Sequence, residues 1–117
     1  MKMESKLKIV KKPWGMEVWF AHTKKYVGKF LHIRKGHRLS MQYHKKKDET
    51  VYALKGPYRL EINGKAMKIE TGKSVRIAPG TVHRMSAKYG NVVIVEVSTP
   101  EVEDVVRLQD DYNRINK

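Results

Sequence analysis

The sequence predicts an all-β protein, and three observations support this prediction. Eight or nine short segments of strand-forming residues follow one another at regular spacing, with turn residues between them. Two of these segments are joined by Asn63-Gly64, the favoured type I′ turn of a β-hairpin. No segment before residue 100 has a convincing helical pattern. The pattern is typical of a β-sandwich or barrel, and 117 residues suffice for a single domain over residues 1–117 with one core.

The N-terminal part of the chain contains a polar segment and two predicted strands. Residues 1–12 are rich in lysine, so we expect a loose or edge-pairing segment. After a turn at Pro13 to Gly15, Met16 to His22 and Tyr26 to Ile33 alternate well enough for strands. Lys29 lies on the mostly apolar face of the second strand. It either extends its charge to solvent or directs a cation into the interior, and the sequence leaves both interpretations open.

The stretch from Gly36 to Gly56 contains two short strands joined by a lysine-rich turn. Gln42 and His44 are two residues apart in the first strand and therefore point to the same face. The chain reverses at residues 45–48, and Glu49 begins the returning strand, where it can face the same interior. An amide oxygen, an imidazole and a carboxylate then converge on one point, and one more ligand would complete a site for a divalent metal.

The fourth ligand is predicted in the stretch from Gly72 to His83. A strand is followed by a Pro79-Gly80 turn, and His83 begins the next strand. A histidine just past such a turn lies at a sheet end, where functional residues tend to collect. Two imidazoles, a carboxylate and an amide oxygen suit Mn, Fe, Co, Ni or Zn, with positions left open for water or substrate. The predicted ligand set is Gln42, His44, Glu49 and His83.

The other predicted strands complete the all-β pattern. They are Glu49 to Leu54, Tyr58 to Ile62, Lys65 to Glu70, Ser74 to Ile77, Val82 to Ser86 and Val92 to Ser98. After Pro100, valines at 102, 105 and 106 have helical spacing, but their β-branched side chains favour a short strand. A final turn is expected at residues 110–114.

Composition limits the classes of function. The formal net charge is +13, and because the basic residues are spread along the chain, they favour a lysine-rich, thermophile-like surface over a nucleic-acid-binding arm. The same field would attract anionic small molecules. The absence of cysteine excludes disulfides and thiolate metal sites. With no long apolar run and no signal-peptide pattern, we expect a cytoplasmic protein.

The two glycine-bounded stretches resemble the two conserved motifs of the cupin superfamily, whose fold is a double-stranded β-helix, or jelly-roll-like barrel. Gln42 stands where many cupins have a first histidine. In this respect the chain is similar to the type II mannose-6-phosphate isomerases, the C-terminal cupin of bifunctional mannose-1-phosphate guanylyltransferases. Three further segments look like this branch: Lys12 to Gly15, Leu39 to His44, and Glu103 to Arg107 with Asp111 to Arg114.

The resemblance implies a metal-dependent isomerase in carbohydrate metabolism. The expected reaction is aldose–ketose isomerisation of a phosphorylated hexose, first of all mannose 6-phosphate, through an enediol. Arg84 and Glu96 match positions that imply a catalytic role. The residues whose matches imply substrate binding are Lys29, Lys47, Arg84 and Arg107. No general base is identified with certainty from the sequence.

The chain also departs from this branch, and the departures keep two alternatives open. Lys47 stands where the branch has an arginine, Thr50-Val51 replaces His-Trp, and Asn113 replaces a glycine; the guanylyltransferase part is missing. One alternative is a cupin that binds metal and a small sugar or acid without isomerising it. The other is a basic β-barrel that binds nucleic acid, although no strand interleaves aromatic and basic residues as single-strand recognition needs. Because an isolated barrel has edge strands to protect, we also expect a homodimer.

Overall fold

The computed structural model describes residues 3–115, which contain eleven β-strands. The predicted domain bounds extend to positions 1–2 and 116–117, which lie outside the described residues. Among residues 3–115, no helix has the length and apolar character needed to cross a membrane. The strands are β1 (Lys8–Lys12), β2 (Gly15–His22), β3 (Val27–Ile33), β4 (Met41–Tyr43), β5 (Glu49–Lys55), β6 (Tyr58–Ile62), β7 (Lys65–Ile69), β8 (Ser74–Ile77), β9 (His83–Ser86), β10 (Val92–Ser98) and β11 (Val106–Gln109).

The strands form two antiparallel sheets, which confirms the predicted all-β fold. Sheet A has the order β1-β2-β3-β10-β5-β8, and sheet B has the order β11-β4-β9-β6-β7. From β3 onward the chain crosses repeatedly between the sheets, so that strands close in sequence lie in different layers. This winding brings the β4–β5 loop and the β8–β9 turn, which are distant in sequence, to the same end of the molecule, where the N–H of Gly80 bonds the carbonyl of His44.

Two details of the predicted strands are corrected. The expected number of eight or nine strands is too low, partly because the lysine-rich β1 pairs along its whole length with β2 at the edge of sheet A. The last strand begins at Val106 instead of occupying residues 102–106. The residues before it form turns, in which the N–H of Asp104 bonds the carbonyl of Glu101 at 3.3 Å.

The hydrophobic core lies between the two sheets. Strand alternation directs every second side chain inward, as in β5, where Val51 and Ala53 are fully buried while Tyr52 is 41% exposed. Trp14, which precedes β2, is only 2% exposed and belongs to this core. Toward one end of the interior, β3, β5 and β10 carry charged side chains at inward positions. Lys29, Glu49 and Glu96 are all buried there, so the interior is divided into an apolar core and a polar cavity.

Two glycine-containing turns fix strand pairing. Asn63 and Gly64 have φ values of 48° and 82°, the pair of positive angles that the predicted type I′ turn requires, and they join β6 to β7 in register. Gly15 lies so close to β3 that an added Cβ atom would stand 1.8 Å from the carbonyl oxygen of His32. Glycine is therefore required at this position, where the chain turns from Trp14 into β2.

Candidate metal site and its cavity

Polar side chains from both sheets line one interior cavity. Its volume is about 120 Å³, which is room for about four water molecules at about 30 Å³ each. Three of the four predicted ligands are buried in it, and Gln42 lines it as well. Lys29, Lys47, Glu96 and Arg107 also contribute to the lining. Of the nine residues predicted for the site, eight therefore lie together and Arg84 does not.

His44, Glu49 and His83 form a compact cluster of possible metal ligands. One donor atom from each lies within 4.8 Å of the others. The carboxylate of Glu49 lies between the two imidazoles, 3.6 Å from Nε2 of His44 through one oxygen and 3.6 Å from Nε2 of His83 through the other. Two atoms that each lie about 2.1 Å from one ion are separated by no more than about 4.2 Å. The two 3.6 Å separations from Glu49 lie within this limit.

The hydrogen bonds of the two histidines leave Nε2 available on each ring. Nδ1 of His44 donates to the backbone carbonyl of Asp104 at 2.6 Å, and Nδ1 of His83 donates to that of Thr81 at 2.9 Å. Burial lowers the pKa of His83 to about 4, which keeps the imidazole neutral. A neutral imidazole held through its second nitrogen is the form in which histidine binds metals, so the donor set of this chain fits a metal ion.

Gln42 is positioned beside the cluster by strand pairing. It lies directly opposite His83 in the β4–β9 pair. Opposite residues of antiparallel strands project to the same face, with Cβ atoms about 4.5–5.5 Å apart. The arrangement places the amide where the sequence expected a fourth ligand.

Asp104 holds the loop between β4 and β5 in place. Its carboxylate accepts hydrogen bonds from the backbone N–H groups of Lys45, Lys46 and Lys47 at 3.1, 2.6 and 2.9 Å. The N–H groups of Lys46 and Lys47 make the largest contributions to lowering the pKa of Asp104, which falls to about 2. Because its carbonyl also orients His44, one residue of the β10–β11 connection determines both the loop conformation and the direction of a candidate ligand.

The second motif is joined to the first by a backbone contact. The N–H of Gly80 donates to the carbonyl of His44 at 2.7 Å. Gly80 has a φ of 84°, which glycine adopts without strain. The predicted Pro79-Gly80 turn therefore does more than reverse the chain, since it fixes β9 and His83 relative to β4.

Lys47 and Glu96 form a buried charged group with Glu49. The Lys47 ammonium lies 3.0 Å from the Glu49 carboxylate and 2.9 Å from that of Glu96. Burial alone would lower the pKa of Lys47, but the charges and hydrogen bonds of Glu96 and Glu49 together raise it above its ordinary value. Lys47 therefore lies in the cavity as predicted, but its charge is already balanced by two carboxylates.

Basic side chains collect at the cavity around β1, β3 and β11. The Lys29 ammonium lies 4.1 Å from the centre of the Trp19 ring and 3.4 Å from a Glu17 oxygen. Burial lowers the pKa of Lys12; Glu17 partly offsets this effect, and Lys29 and two arginines reinforce it. Those arginines are Arg107 and Arg114. These two arginines, Lys12 and Lys29 thus share one region with two carboxylates, Glu17 and Asp110, and Asp110 is bonded to Arg114.

Arg107 is half-buried, and part of its guanidinium has no partner in the described part of the chain. Its Nε atom has no hydrogen-bond partner among residues 3–115. A buried N–H group without a partner is costly, which makes an anionic ligand favourable at this position.

Arg84 does not reach the cavity, contrary to the role suggested for it. It follows His83 directly in β9, and adjacent strand residues point to opposite faces. Its guanidinium is buried elsewhere and donates to the backbone carbonyls of Leu39 at 3.0 Å and Gln109 at 3.1 Å. In this arrangement Arg84 joins the strands of sheet B and contacts no cavity group.

The sequence interpretation missed four residues that matter to the site, namely Lys12, Glu17, Asp104 and Arg114. Lys12, Asp104 and Arg114 lie inside the segments that resemble the isomerase branch, which was the available signal. A signal was also available for Glu17. It lies two residues before Trp19, and strand alternation places both side chains on the same face of β2. No pattern in the sequence indicated that the backbone carbonyl of Asp104 would orient His44.

Comparison with known proteins identifies the family of this chain and one of its relatives. Residues 2–111 match the sequence model of the family described as "Mannose-6-phosphate isomerase C-terminal". The chain is 30% identical over 111 residues to the mannose-1-phosphate guanylyltransferase ManC of Salmonella typhimurium. The match covers 91% of this chain and 23% of ManC, so the chain spans less than a quarter of that relative.

Solved structures share the fold at low sequence identity. An RmlC-like cupin from Shewanella frigidimarina superposes with a TM-score of 0.75 at 14% identity, over 89% of this chain and 96% of that one. KdgF from Halomonas sp. gives 0.71 at 17% identity, over 83% and 87%. The capsular polysaccharide assembling protein CapF from Staphylococcus aureus gives 0.75 at 14%, over 92% and 33%. The predicted cupin fold is confirmed.

We predict that Asp104→Ala weakens metal binding by about 10–100-fold, the usual cost of disturbing the groups that orient metal ligands. The change frees the β4–β5 loop and with it the carbonyl that holds His44. Isothermal titration of the metal-stripped protein with Mn²⁺ or Zn²⁺ measures the effect. Asp111→Ala is the matched control, because Asp111 is bonded to Arg38 at the surface. Equal affinity in both variants would contradict the positioning role.

Proposed function

The chain belongs to the mannose-6-phosphate isomerase C-terminal family, as its motifs predicted, and from this premise we propose that it is a metal-dependent cupin acting on a phosphorylated hexose. The proposed reaction is aldose–ketose isomerisation, with mannose 6-phosphate as the first substrate to test. One observation carries the proposal. A cluster of two imidazole nitrogens and a carboxylate lies in the same cavity as a group of basic side chains.

The proposed metal ligands are His44, Glu49, His83 and Gln42. Nitrogen and oxygen donors of this kind suit Mn, Fe, Co, Ni or Zn. When bound, a divalent metal supplies Lewis-acid stabilisation of negative charge on a sugar oxygen. The polypeptide orients both histidines through the carbonyls of Asp104 and Thr81, and it places the Glu49 carboxylate 3.0 Å from the Lys47 ammonium.

We assign the movement of the proton to Glu96. Its carboxylate is buried in the cavity, on the strand next to the one that carries Glu49. Isomerisation requires a group that removes a proton from one carbon and returns it to the neighbouring carbon, and a positioned carboxylate can do both. The ion pair with Lys47 at 2.9 Å keeps the carboxylate in one place. Arg84, which lies outside the cavity, is not part of this proposal.

The basic group around Arg107 is the proposed phosphate site. A phosphorylated hexose is larger than the enclosed volume of about 120 Å³, so the substrate must extend out of the cavity past these side chains. Arginine offers paired N–H donors to phosphate, and Lys12 and Lys29 add point charges. The buried Nε of Arg107 would gain the hydrogen bond it lacks among the described residues.

We predict that the purified protein binds a divalent metal and that His44→Ala and His83→Ala each lose most of it. Each change removes one of the clustered donors. Elemental analysis after dialysis measures the metal content, and His22→Ala, at an exposed position, is the control. Removal of the metal with EDTA should abolish formation of fructose 6-phosphate from mannose 6-phosphate, and added Mn²⁺, Co²⁺ or Zn²⁺ should restore it. A metal-loaded protein without this activity would support a binding cupin instead of an isomerase.

We predict that Glu96→Gln lowers kcat by about 10²–10⁴-fold, the usual contribution of a positioned acid or base. The amide keeps the size of the side chain but cannot accept the proton. The isomerase assay measures the rate, and elemental analysis should show unchanged metal content. Glu70→Gln, at an exposed position, is the control. If kcat stays at the wild-type value, Glu96 serves only to balance the charge of Lys47.

We predict that Arg107→Gln raises KM for the sugar phosphate by about 10–100-fold, the equivalent of one charge-assisted hydrogen bond. Metal content should not change, because Arg107 lies outside the donor cluster. Inhibition by inorganic phosphate should weaken in parallel. Arg76→Gln is the control, since Arg76 is bonded to Asp48 at the surface. A normal KM in the Arg107 variant would place the phosphate elsewhere.

A further inference from the structure

The Asn63-Gly64 turn, which the sequence predicts only as a hairpin turn, also contacts the segment that leads into His83. β6 ends at Ile62, which lies opposite His83 in the β6–β9 pair. One residue further, the N–H of Asn63 donates to the carbonyl of Val82 at 2.8 Å, and the N–H of Val82 donates to Oδ1 of the Asn63 side chain at 3.2 Å. In a hydrogen-bonded antiparallel pair the backbones exchange both bonds. Here the Asn63 side chain supplies the acceptor for one of them.

The peptide group between Thr81 and Val82 links Asn63 to His83. Its N–H donates to the Asn63 side chain, and its carbonyl accepts from Nδ1 of His83 at 2.9 Å. Because this peptide group is planar and trans, its N–H and its carbonyl point in opposite directions and cannot turn independently. Asn63 therefore restrains the plane of the same peptide group that orients the His83 ring.

The hydrogen bonds from His83 to Asn63 also run in one direction. The Nδ1–H of His83 donates to the carbonyl of Thr81, and the N–H of the same peptide group donates to Asn63. Hydrogen bonds connected in this way polarise and strengthen one another. A carbonyl that accepts from Nδ1–H fixes the tautomer of the ring and raises the basicity of Nε2, which is the candidate donor to a metal. The Asn63 acceptor therefore favours the tautomer and orientation of His83 that metal binding needs.

The backbone at position 63 allows the role of the side chain to be separated from the role of the turn. The φ of Asn63 is 48°, and only a few residue types favour such an angle at the first position of a type I′ turn, chiefly asparagine, aspartate and glycine. Glycine would form the turn but has no side-chain acceptor. Aspartate would form the turn and keep an oxygen at the same place. The side-chain acceptor can therefore be removed or retained while the hairpin stays the same.

We propose that Asn63 is a positioning residue for His83 and acts through the peptide group between Thr81 and Val82. The inference rests on the proposed function, because it takes His83 as a metal ligand. The other side of the same segment is held by the N–H of Gly80, which donates to the carbonyl of His44 at 2.7 Å. Loss of the Asn63 acceptor leaves this contact and the hairpin in place but frees the peptide group to tilt, so its effect falls on His83.

The test compares Asn63→Gly with the matched control Asn113→Gly. Asn113 is exposed and has a φ of 59°, so glycine is equally compatible with the backbone at both positions. Isothermal titration of the metal-stripped proteins with Zn²⁺ should show an affinity about three- to tenfold lower for Asn63→Gly, the equivalent of one hydrogen bond. Asn113→Gly should bind as the wild type does. Asn63→Asp should also keep the wild-type affinity, because it retains the acceptor. Thermal melting should show that all three variants are folded at the temperature of the titration.

A second measurement needs no metal. Long-range proton–nitrogen NMR spectra of the metal-free proteins near neutral pH report the tautomer of His83. The wild type and Asn63→Asp should show the Nδ1–H tautomer, and Asn63→Gly should show a measurable fraction of the Nε2–H tautomer.

The proposal is overturned if Asn63→Gly binds Zn²⁺ as tightly as the wild type, if Asn113→Gly loses as much affinity, or if Asn63→Asp fails to retain it. An unchanged His83 tautomer in Asn63→Gly also overturns the proposal. A wild type that binds no metal would instead contradict the proposed function, and the NMR comparison alone would then decide whether Asn63 positions His83.

Discussion

The interior of this domain depends on the balance of three buried charges. Glu49, Lys47 and Glu96 are each less than 6% exposed and lie in one chain of ion pairs. A buried charge without a partner is destabilising by about 3–5 kcal/mol, so each of these groups requires the others. Because Lys47 lies in the β4–β5 loop and the two glutamates lie on neighbouring strands of sheet A, the same contacts hold the loop against the sheet. The N–H groups of this loop in turn donate to the Asp104 carboxylate, and His44 lies at the start of the loop, directly after β4.

Strand alternation determines which side chains of sheet A face the cavity and which face outward. In β10, Glu96 points into the cavity while Val95 and Val97 point outward, and in β3 Lys29 alternates with Phe30. The same period of two separates His83, in the cavity, from Arg84, which binds backbone carbonyls of sheet B. In these two strands the charged residue faces the cavity and its outward neighbours are apolar. Because the solvated side of an antiparallel sheet is usually the polar one, β3 and β10 depart from that arrangement at these positions.

The sequence was sufficient where local rules decide the structure. Asn63-Gly64 predicted a type I′ turn, and residue spacing with the two glycine-bounded motifs brought His44, Glu49 and His83 together. Strand alternation would also have excluded Arg84 from the cavity, but the motif match was given more weight. Other features depend on tertiary contacts that have no sequence pattern. The burial of Lys47 in a lysine-rich turn follows from Glu96, 49 residues away in the chain, and the role of Asp104 follows from its backbone carbonyl, which any residue could have supplied.

Lys47 departs from the arginine of the family pattern. The substitution keeps a positive charge at this position but changes the geometry of its N–H donors. An arginine could address two carboxylates through the two sides of a planar fork, whereas the lysine ammonium is compact and has three N–H donors. Two of these donors face Glu49 and Glu96. Lys47 also lines the cavity. A substrate contact from Lys47 is therefore compatible with its role in balancing the carboxylates, but it would come from a neutralised group. Under the proposed function, attraction of a phosphate falls to Lys12, Lys29 and Arg107, whose charges are not held between two carboxylates.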